Sequence, residues 1–329
     1  MQRGQADSPA EAENAPAALT RLARALEKSG YRFTTVTPLT HRRVNSRPGN
    51  AWARGLEDVF GWSRPFKEDA LPSDIFDLMQ LAGVVERAGE GWRSRVRFSA
   101  LNDRLFVHSA FPTEDADSVF FGPDTYRFAA AIEREIASVA SRGGCIRRAV
   151  DIGCGAGIGA ILIALAWPDA EVFAADINDL ALDFTKINAE VAGTPNVAAV
   201  HSDLLGNIAG AFDLIVANPP YLVDRAERAY RHGGGALGAA LSLAILDAAI
   251  ERLAPGSTLV LYTGVAIVAG LDPFLAEAGS RLAASTAPID WTYREIDPDV
   301  FGEELSEAPY SAADRIAAVL LTVRKRAGE

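Results

Sequence analysis

Apolar and polar positions follow two regimes along the chain. In the first third the spacing is mostly helical: Leu19, Leu22, Ala23 and Leu26 lie on one face of a segment from Leu19 to Ser29, and Gly30 stands where that helix would end. A second helical pattern covers Ser73 to Val85, with Leu78, Leu81 and Ala82 together and Gly83 near its close. Past the turn residues Gly89 and Gly91, the runs Arg93 to Ser99 and Arg104 to Ser109 alternate around Asn102-Asp103, as the strands of a hairpin do. A helix from Arg127 to Ala140 comes next, with Asp124 or Thr125 placed to cap it.

The regime then changes. Short apolar runs predict strands at Ala149 to Ile152, Glu171 to Ala175, Val197 to Val200 and Phe212 to Ala217, the last a buried parallel strand. Further strands are expected at Ser257 to Thr263, Thr292 to Ile296 and Ala317 to Lys325, with a helix from Ala236 to Leu253. The fold class expected is α/β, a parallel sheet preceded by a smaller α+β module in which a helix is followed by a winged-helix-like hairpin.

Composition adds boundaries to this picture. A length of 329 residues accommodates two domains, and 49% hydrophobic with 23% charged residues is ordinary for a globular chain. The first eighteen residues are rich in Ala, Glu, Pro and Gln, which predicts a disordered tail and not a signal peptide. The expected division is therefore a tail at 1–18, an N-terminal domain at 19–116 and a sheet domain at 117–329. No apolar run approaches the roughly 20 residues that span a bilayer. The two cysteines, Cys145 and Cys154, give no disulfide framework, and a reducing, cytoplasmic setting is expected. No cluster of His, Cys and Asp has metal-ligand spacing, so no metal is expected.

The net charge of −11 comes from the second part, where residues 117–329 hold 16 Lys and Arg against 28 Asp and Glu, while residues 1–116 are near neutral with 16 against 15. Neither part has the composition of a basic nucleic-acid-binding domain. The clusters Arg42, Arg43, Arg47 and Arg93, Arg95, Arg97 read as solvated faces or as a local phosphate patch. Trp52, Trp62 and Trp92 read as core or interface aromatics, and the first domain as a substrate-recognition module or a cover for the active site.

Candidate chemistry concentrates at the strand ends. Asn218-Pro219-Pro220-Tyr221 follows the strand ending at Ala217. Paired prolines stop the ladder and stiffen the backbone, so the carbonyls and the Asn218 side chain form fixed acceptors beside an aromatic ring. Such a set can grip a planar NH2 group by both hydrogens while the ring packs on its face; the same four residues can also be a plain turn. Upstream, Asp151-Ile152-Gly153-Cys154-Gly155-Ala156-Gly157 runs from a strand through a glycine loop into an apolar helix, where close backbone approach to a ligand is allowed. Gly155 to Ala160 also satisfies the dinucleotide pattern G-x-G-x-x-A, which keeps a nicotinamide-dependent oxidoreductase in view. Asp176 ends the second strand, where a carboxylate can accept from both hydroxyls of a ribose, with Ile177 beside it. Asp151 supplies negative charge near the loop, suited to an amine and a sulfonium, and Asp203 with Leu204 ends the third strand, placed for an adenine amino group. Each acid alone can be a strand-end cap.

Together these motifs resemble the class I S-adenosylmethionine-dependent methyltransferases, nearest to the HemK/PrmC-like release-factor glutamine methyltransferases with their small methyltransferase domain. The resemblance covers about residues 117–325. It implies a Rossmann-like seven-stranded sheet whose last pair is antiparallel. It also implies that Asp151, Gly153, Gly155 and Gly157 bind the methionine part of the cofactor, Asp176 the ribose and Asp203 the adenine. Asn218, Pro219 and Tyr221 then hold the target nitrogen and are the expected catalytic set, with Asn218 also bordering the cofactor. Phe121, Pro123, Thr125, Pro220 and Tyr221 are the expected substrate-binding residues. Family members carry Pro-Glu-Thr-Glu where this chain has Pro123-Asp124-Thr125-Tyr126, a departure that bears on the acceptor. The expected acceptor is macromolecular: a protein side-chain amide, or alternatively the exocyclic amine of a nucleic-acid base. A non-catalytic module that only binds the cofactor is a third reading. The polar stretch 222–232 with Gly233-Gly234-Gly235 has the composition of a mobile loop, and His232 is expected to be a loop residue and not a base.

Overall fold

The computed structural model describes residues 9–226, 228 and 230–327, which form two compact units. The first comprises the described part of Met1–Glu114 together with Val119–Pro123 and Lys186–Gly193; the second holds Asp115–Ser118, Asp124–Thr185 and the described part of Thr194–Glu329.

In the first unit, helices α1 (Pro9–Lys28), α2 (Pro38–Asn45), α3 (Leu56–Phe60) and α4 (Ser73–Leu81) are followed by strands β1 (Val85–Ala88), β2 (Gly91–Ser94), β3 (Val96–Leu101) and β4 (Arg104–Ser109). Its core is built from the predicted stripe, with Leu22 and Leu26 fully buried, and from Phe60, Phe66, Met79, Phe98 and Phe106. Two expectations change. The stretch expected to be a disordered tail is helical over its described part, because α1 starts at Pro9 and already buries Ala18; residues 1–8 lie outside the described residues. The run Arg93 to Ser99 is not one strand. It is cut after Ser94, whose hydroxyl donates to the Val96 carbonyl (2.7 Å) and accepts from the Val96 N–H (3.2 Å), so the ladder is tied off by a side chain. Two separate hairpins result, β1 with β2 and β3 with β4, the second turning at Asn102-Asp103 as expected. Helix α4 stops at Leu81 because Gly83 takes a left-handed φ of 66° and sends the chain into β1. Trp62 and Trp92 pack edge-on against Phe33 and Phe76 at 5.2 and 5.4 Å, whereas Trp52 is partly exposed under the Lys67 ammonium at 4.5 Å.

The second unit contains α5 (Pro123–Ser141, from Asp124 onward), β5 (Arg148–Ile152), α6 (Ile158–Ala166), β6 (Glu171–Asp176), α7 (Asp179–Ala192, to Thr185), β7 (Val197–His201), β8 (Phe212–Ala217), α8 (Ala240–Arg252), β9 (Leu253–Val268), α9 (Pro273–Ala284), β10 (Ile289–Asp297) and β11 (Ala313–Lys325). The strands form one seven-stranded sheet in the order β10-β11-β9-β8-β5-β6-β7. All neighbours from β9 to β7 are parallel, and β11 runs antiparallel to both β9 and β10. The central strands are apolar because both faces are covered: in β8 Phe212, Leu214, Ile215, Val216 and Ala217 are fully buried. Each large aliphatic or aromatic side chain so buried contributes about 1.5–3 kcal/mol. Helix α6 is apolar all round and its residues from Ile158 to Ala164 are buried. Helix α5 opens at Pro123, before the expected Arg127, so Asp124 and Thr125 lie inside its first turn and are not its cap. Helix α8 starts at Ala240 and not at Ala236, after Gly234, Gly235 and Gly238 all take left-handed backbone.

Among the described residues, no helix is long and apolar enough to cross a membrane. No group of three or more His, Cys, Asp and Glu residues among them could hold a metal ion. Cys145 is exposed and Cys154 buried, both as free thiols.

Candidate active site

The register of the sheet brings the candidate residues to one edge. Ile152 at the end of β5 lies opposite Ala175 of β6 and Ala217 of β8, and Asp176 lies opposite His201 of β7. The residues that follow, Gly153, Ile177, Ser202 and Asn218, therefore leave the sheet side by side. After β5 the chain adds β6 and β7 on one side and then returns to place β8 and β9 on the other, so the order reverses between β5 and β8. Open α/β sheets bind ligands at such a switch point.

The loop after β5 turns through Gly153, Gly155 and Gly157, all left-handed, with φ of 69°, 54° and 79°. It is pinned from two directions. The Gly153 and Cys154 N–H groups donate to the Ala175 carbonyl at 2.8 and 3.0 Å, and the Thr185 hydroxyl donates to the Gly155 carbonyl at 3.1 Å. Asp176 completes the fastening: its Oδ2 accepts from the Gly155 N–H and its Oδ1 from the Asn178 N–H, each at 2.9 Å. A carboxylate has about four acceptor sites, more than its backbone donors occupy, so it is oriented without being used up. Burial raises its pKa, and the Gly155, Asn178 and Ile177 N–H groups offset only part of that rise.

Asp151 is more deeply placed than its position in the sequence indicated. It is 1% exposed, and its Oδ2 accepts from the Ala160 N–H at the start of α6 (3.1 Å), while its Oδ1 has no hydrogen-bond partner among the described residues. Burial pushes its pKa up to about 7, opposed by the Ala160 N–H and reinforced by the charge of Asp176. A buried carboxylate oxygen without a partner is costly, and a ligand cation or N–H donor would satisfy it. Ile177 is 55% exposed, an apolar side chain held out beside Asp176, and past it lie exposed Asp203 and half-buried Leu204. An acid pair, a left-handed glycine loop, a partnerless carboxylate oxygen and an exposed aliphatic group fit a nucleoside joined to an amino acid.

At the end of β8, Pro219 and Tyr221 are buried and Asn218 and Pro220 half-buried. The Tyr221 hydroxyl donates to Asp124 Oδ2, and the Tyr262 hydroxyl of β9 donates to Asp124 Oδ1 at 2.7 Å. The ring of Phe301 meets Tyr221 edge-on at 5.9 Å. Thr125 is buried beside Asp124 in α5. Phe121 and Pro123 belong to the first unit, where Phe121 stacks on His108 at 5.0 Å. Beyond Tyr221, Leu222 bridges to His232, and Asp224 pairs with Arg228 (2.5 Å) and Arg231 (3.5 Å). Those arginines hold the Asp224 carboxyl down at about 2, the Arg228 hydrogen bond first. His232 Nδ1 accepts from the Asp224 N–H at 3.2 Å, which gives it a loop-bracing role.

Sequence reasoning missed the partners of Tyr221. On sequence alone Asp124 or Thr125 is the expected helix cap and nothing in the periodicity singles out Tyr262, although the acid in Pro123-Asp124-Thr125-Tyr126 is the available signal.

A seven-stranded sheet of this order with one reversed strand, a glycine loop after its central strand, acids ending the next strands and Asn-Pro-Pro-Tyr after the fourth define a class I methyltransferase fold. Residues 138–263 match the methyltransferase small domain family. The chain is 35% identical over 167 residues to a release factor glutamine methyltransferase of Deinococcus radiodurans, covering 48% of this chain and 55% of that protein. It is 34% identical over 130 residues to a ribosomal protein uL3 glutamine methyltransferase of Neisseria meningitidis, covering 36% and 43%. A ribosomal RNA small subunit methyltransferase C of Pasteurella multocida is 37% identical over 84 residues, covering 26% of this chain and 25% of its own. The chain thus spans about half the length of the glutamine methyltransferases it matches.

Proposed function

We propose that the protein transfers a methyl group from S-adenosylmethionine to a planar nitrogen, and that this nitrogen is a glutamine-like side-chain amide of a protein. The observation that carries the reading is the position of Asn218-Pro219-Pro220-Tyr221, which leaves β8 beside the glycine loop at the switch point of the sheet. Asp151 and the loop from Gly153 to Gly157 hold the amino-acid part of the cofactor, the first through its partnerless Oδ1. Asp176 holds the ribose, Ile177, Asp203 and Leu204 the adenine, and Asn218 borders both ligands. The bound cofactor supplies an electrophilic methyl group on a sulfonium.

An amide nitrogen shares its lone pair with its carbonyl and is a poor nucleophile. The Asn218 side-chain oxygen and the Pro219 carbonyl accept its two N–H bonds, which orients the nitrogen and stabilises the positive charge that develops on it. Held in this way, the acceptor needs little further reorganisation, and positioning supplies much of the acceleration. Pro220 keeps the turn stiff. The acid excess of the second unit gives little attraction for phosphates, which favours a protein over a nucleic-acid acceptor. Phe121, Pro123 and Thr125 remain substrate-contact candidates, and the first unit is proposed to recognise the acceptor.

The test uses cell extract, labelled methyl donor and the purified protein, with the products split between nuclease and protease treatment. Label that survives nuclease, is lost with protease and is released by hydrolysis as methylamine is the expected result. Label lost with nuclease alone overturns the amide reading in favour of a base amine, in line with the similarity to a ribosomal RNA methyltransferase.

A further inference from the structure

The phenol of Tyr221 sits in a socket made by three segments of the second unit. From α5, Asp124 is 5% exposed and accepts on Oδ2 from the Tyr221 hydroxyl. Its other oxygen, Oδ1, accepts from the Tyr262 hydroxyl at 2.7 Å and from Arg127 Nη1 at 2.9 Å, and Arg127 Nη2 reaches on to Asp297 of β10 at 2.5 Å. From β9, the backbone at Gly264 packs closely on the ring: a Cβ there would stand 2.2 Å from two carbons of Tyr221. From the loop, Gly238 covers the backbone of the same residue, since a Cβ there would stand 2.0 Å from the Tyr221 carbonyl oxygen.

A buried carboxyl group that accepts from two phenols and a guanidinium is well compensated and geometrically demanding. Two consequences follow for Tyr221. Burial and the neighbouring Asp124 push its pKa well above the ordinary phenol range, so it stays protonated. Its single O–H is already committed to Asp124, which leaves it neither a base for the acceptor nor a donor to it. What remains is position. Tyr221 is joined to Asn218 only through Pro219 and Pro220, whose fixed φ values leave the backbone of Tyr221 little room to shift without moving the turn.

We propose that Asp124 is a positioning residue for methyl transfer, acting through the Tyr221 hydroxyl to hold the Asn218-Pro219-Pro220 turn in the direction that grips the acceptor nitrogen. The inference rests on the proposed N-methyl transfer and deepens it. Tyr262 and Arg127 are the supports that keep Asp124 turned toward Tyr221. On this reading Asp124 in Pro123-Asp124-Thr125-Tyr126 keeps an acid where family members carry glutamate, and the change there need not alter the reaction.

The test compares Asp124→Asn, Tyr221→Phe and the double variant. Initial rates of label incorporation into nuclease-treated extract are measured across S-adenosylmethionine concentrations, with calorimetric binding of the donor and thermal melts as checks of folding. Each single variant is expected to lose about 10- to 100-fold in maximal rate, the scale of a small misplacement. Donor affinity should stay within about twofold, and the double variant should be no slower than the worse single one, because both remove the same hydrogen bond. A proton NMR signal from the Tyr221 hydroxyl, protected from exchange in the wild type, should vanish in Tyr221→Phe and shift and lose protection in Asp124→Asn, where three donors compete for a single acceptor oxygen. That signal is independent of turnover: a wild type that shows it but labels nothing refutes the function, not the socket. A wild-type rate in Tyr221→Phe, or losses that multiply in the double variant, overturns the inference even if Asp124→Asn fails to fold.

Discussion

Asp151→Asn should make the cofactor-free protein more stable at neutral and alkaline pH while weakening cofactor binding. An unfolded Asp ionises near 3.9, whereas the buried Asp151 carboxyl is raised to about 7. Between those values the folded protein keeps a proton that the unfolded chain has released. Stability is therefore greatest below about pH 4 as far as this group is concerned, and falls as pH rises through 7. The shift of about three pKa units corresponds to a ceiling of roughly 4 kcal/mol, reached near pH 8. Asparagine is isosteric, neutral throughout, and can still accept the Ala160 N–H that Asp151 accepts at 3.1 Å. Urea titrations of wild type and variant, followed by circular dichroism at intervals from pH 4 to 8, should show the difference between them growing in the variant's favour. Calorimetry with S-adenosylmethionine should show the opposite sign, a loss on the order of 1.5–3 kcal/mol, because the charge that the partnerless Oδ1 offers is gone. A stability difference that does not change with pH, or unchanged affinity in a folded variant, refutes the account of Asp151 as a strained, ligand-directed acid.

Three further outcomes test the remaining parts of the site. Asp176→Ala should lower donor affinity by about 1.5–3 kcal/mol through loss of a charge-assisted bond, and calorimetry with normal affinity would remove the ribose assignment. Asn218→Ala should leave donor affinity nearly intact and reduce the maximal rate strongly, which steady-state kinetics in labelled extract would read directly. Gly264→Ala should destabilise the second unit by about 1–3 kcal/mol, since the new Cβ would stand 2.2 Å from the Tyr221 ring; an unshifted melt would mean that the ring moves freely.

The sequence alone determined the sheet and its reactive edge, because both are written in local patterns. Three of the runs, leading to Gly153, Asp176 and Asn218, are central parallel strands whose next residues share one side, as the register shows, whereas the run leading to Asp203 is the half-buried edge strand β7. Boundaries were legible to within a few residues where glycine or proline punctuates the chain, and less so elsewhere. The break after Ser94 depends on a single hydroxyl turning back on the chain, and no periodicity encodes that choice. Only the tertiary structure decided what the acids do. The Asp151 side chain points under the loop to the start of α6, and its raised pKa comes from burial, which is a property of the whole packed unit. Asp124 and Tyr221 are 97 positions apart, and Tyr262 lies on another strand. Hydrogen bonds of that reach follow from how α5 crosses the sheet, a matter of packing between elements that no local window of residues can specify.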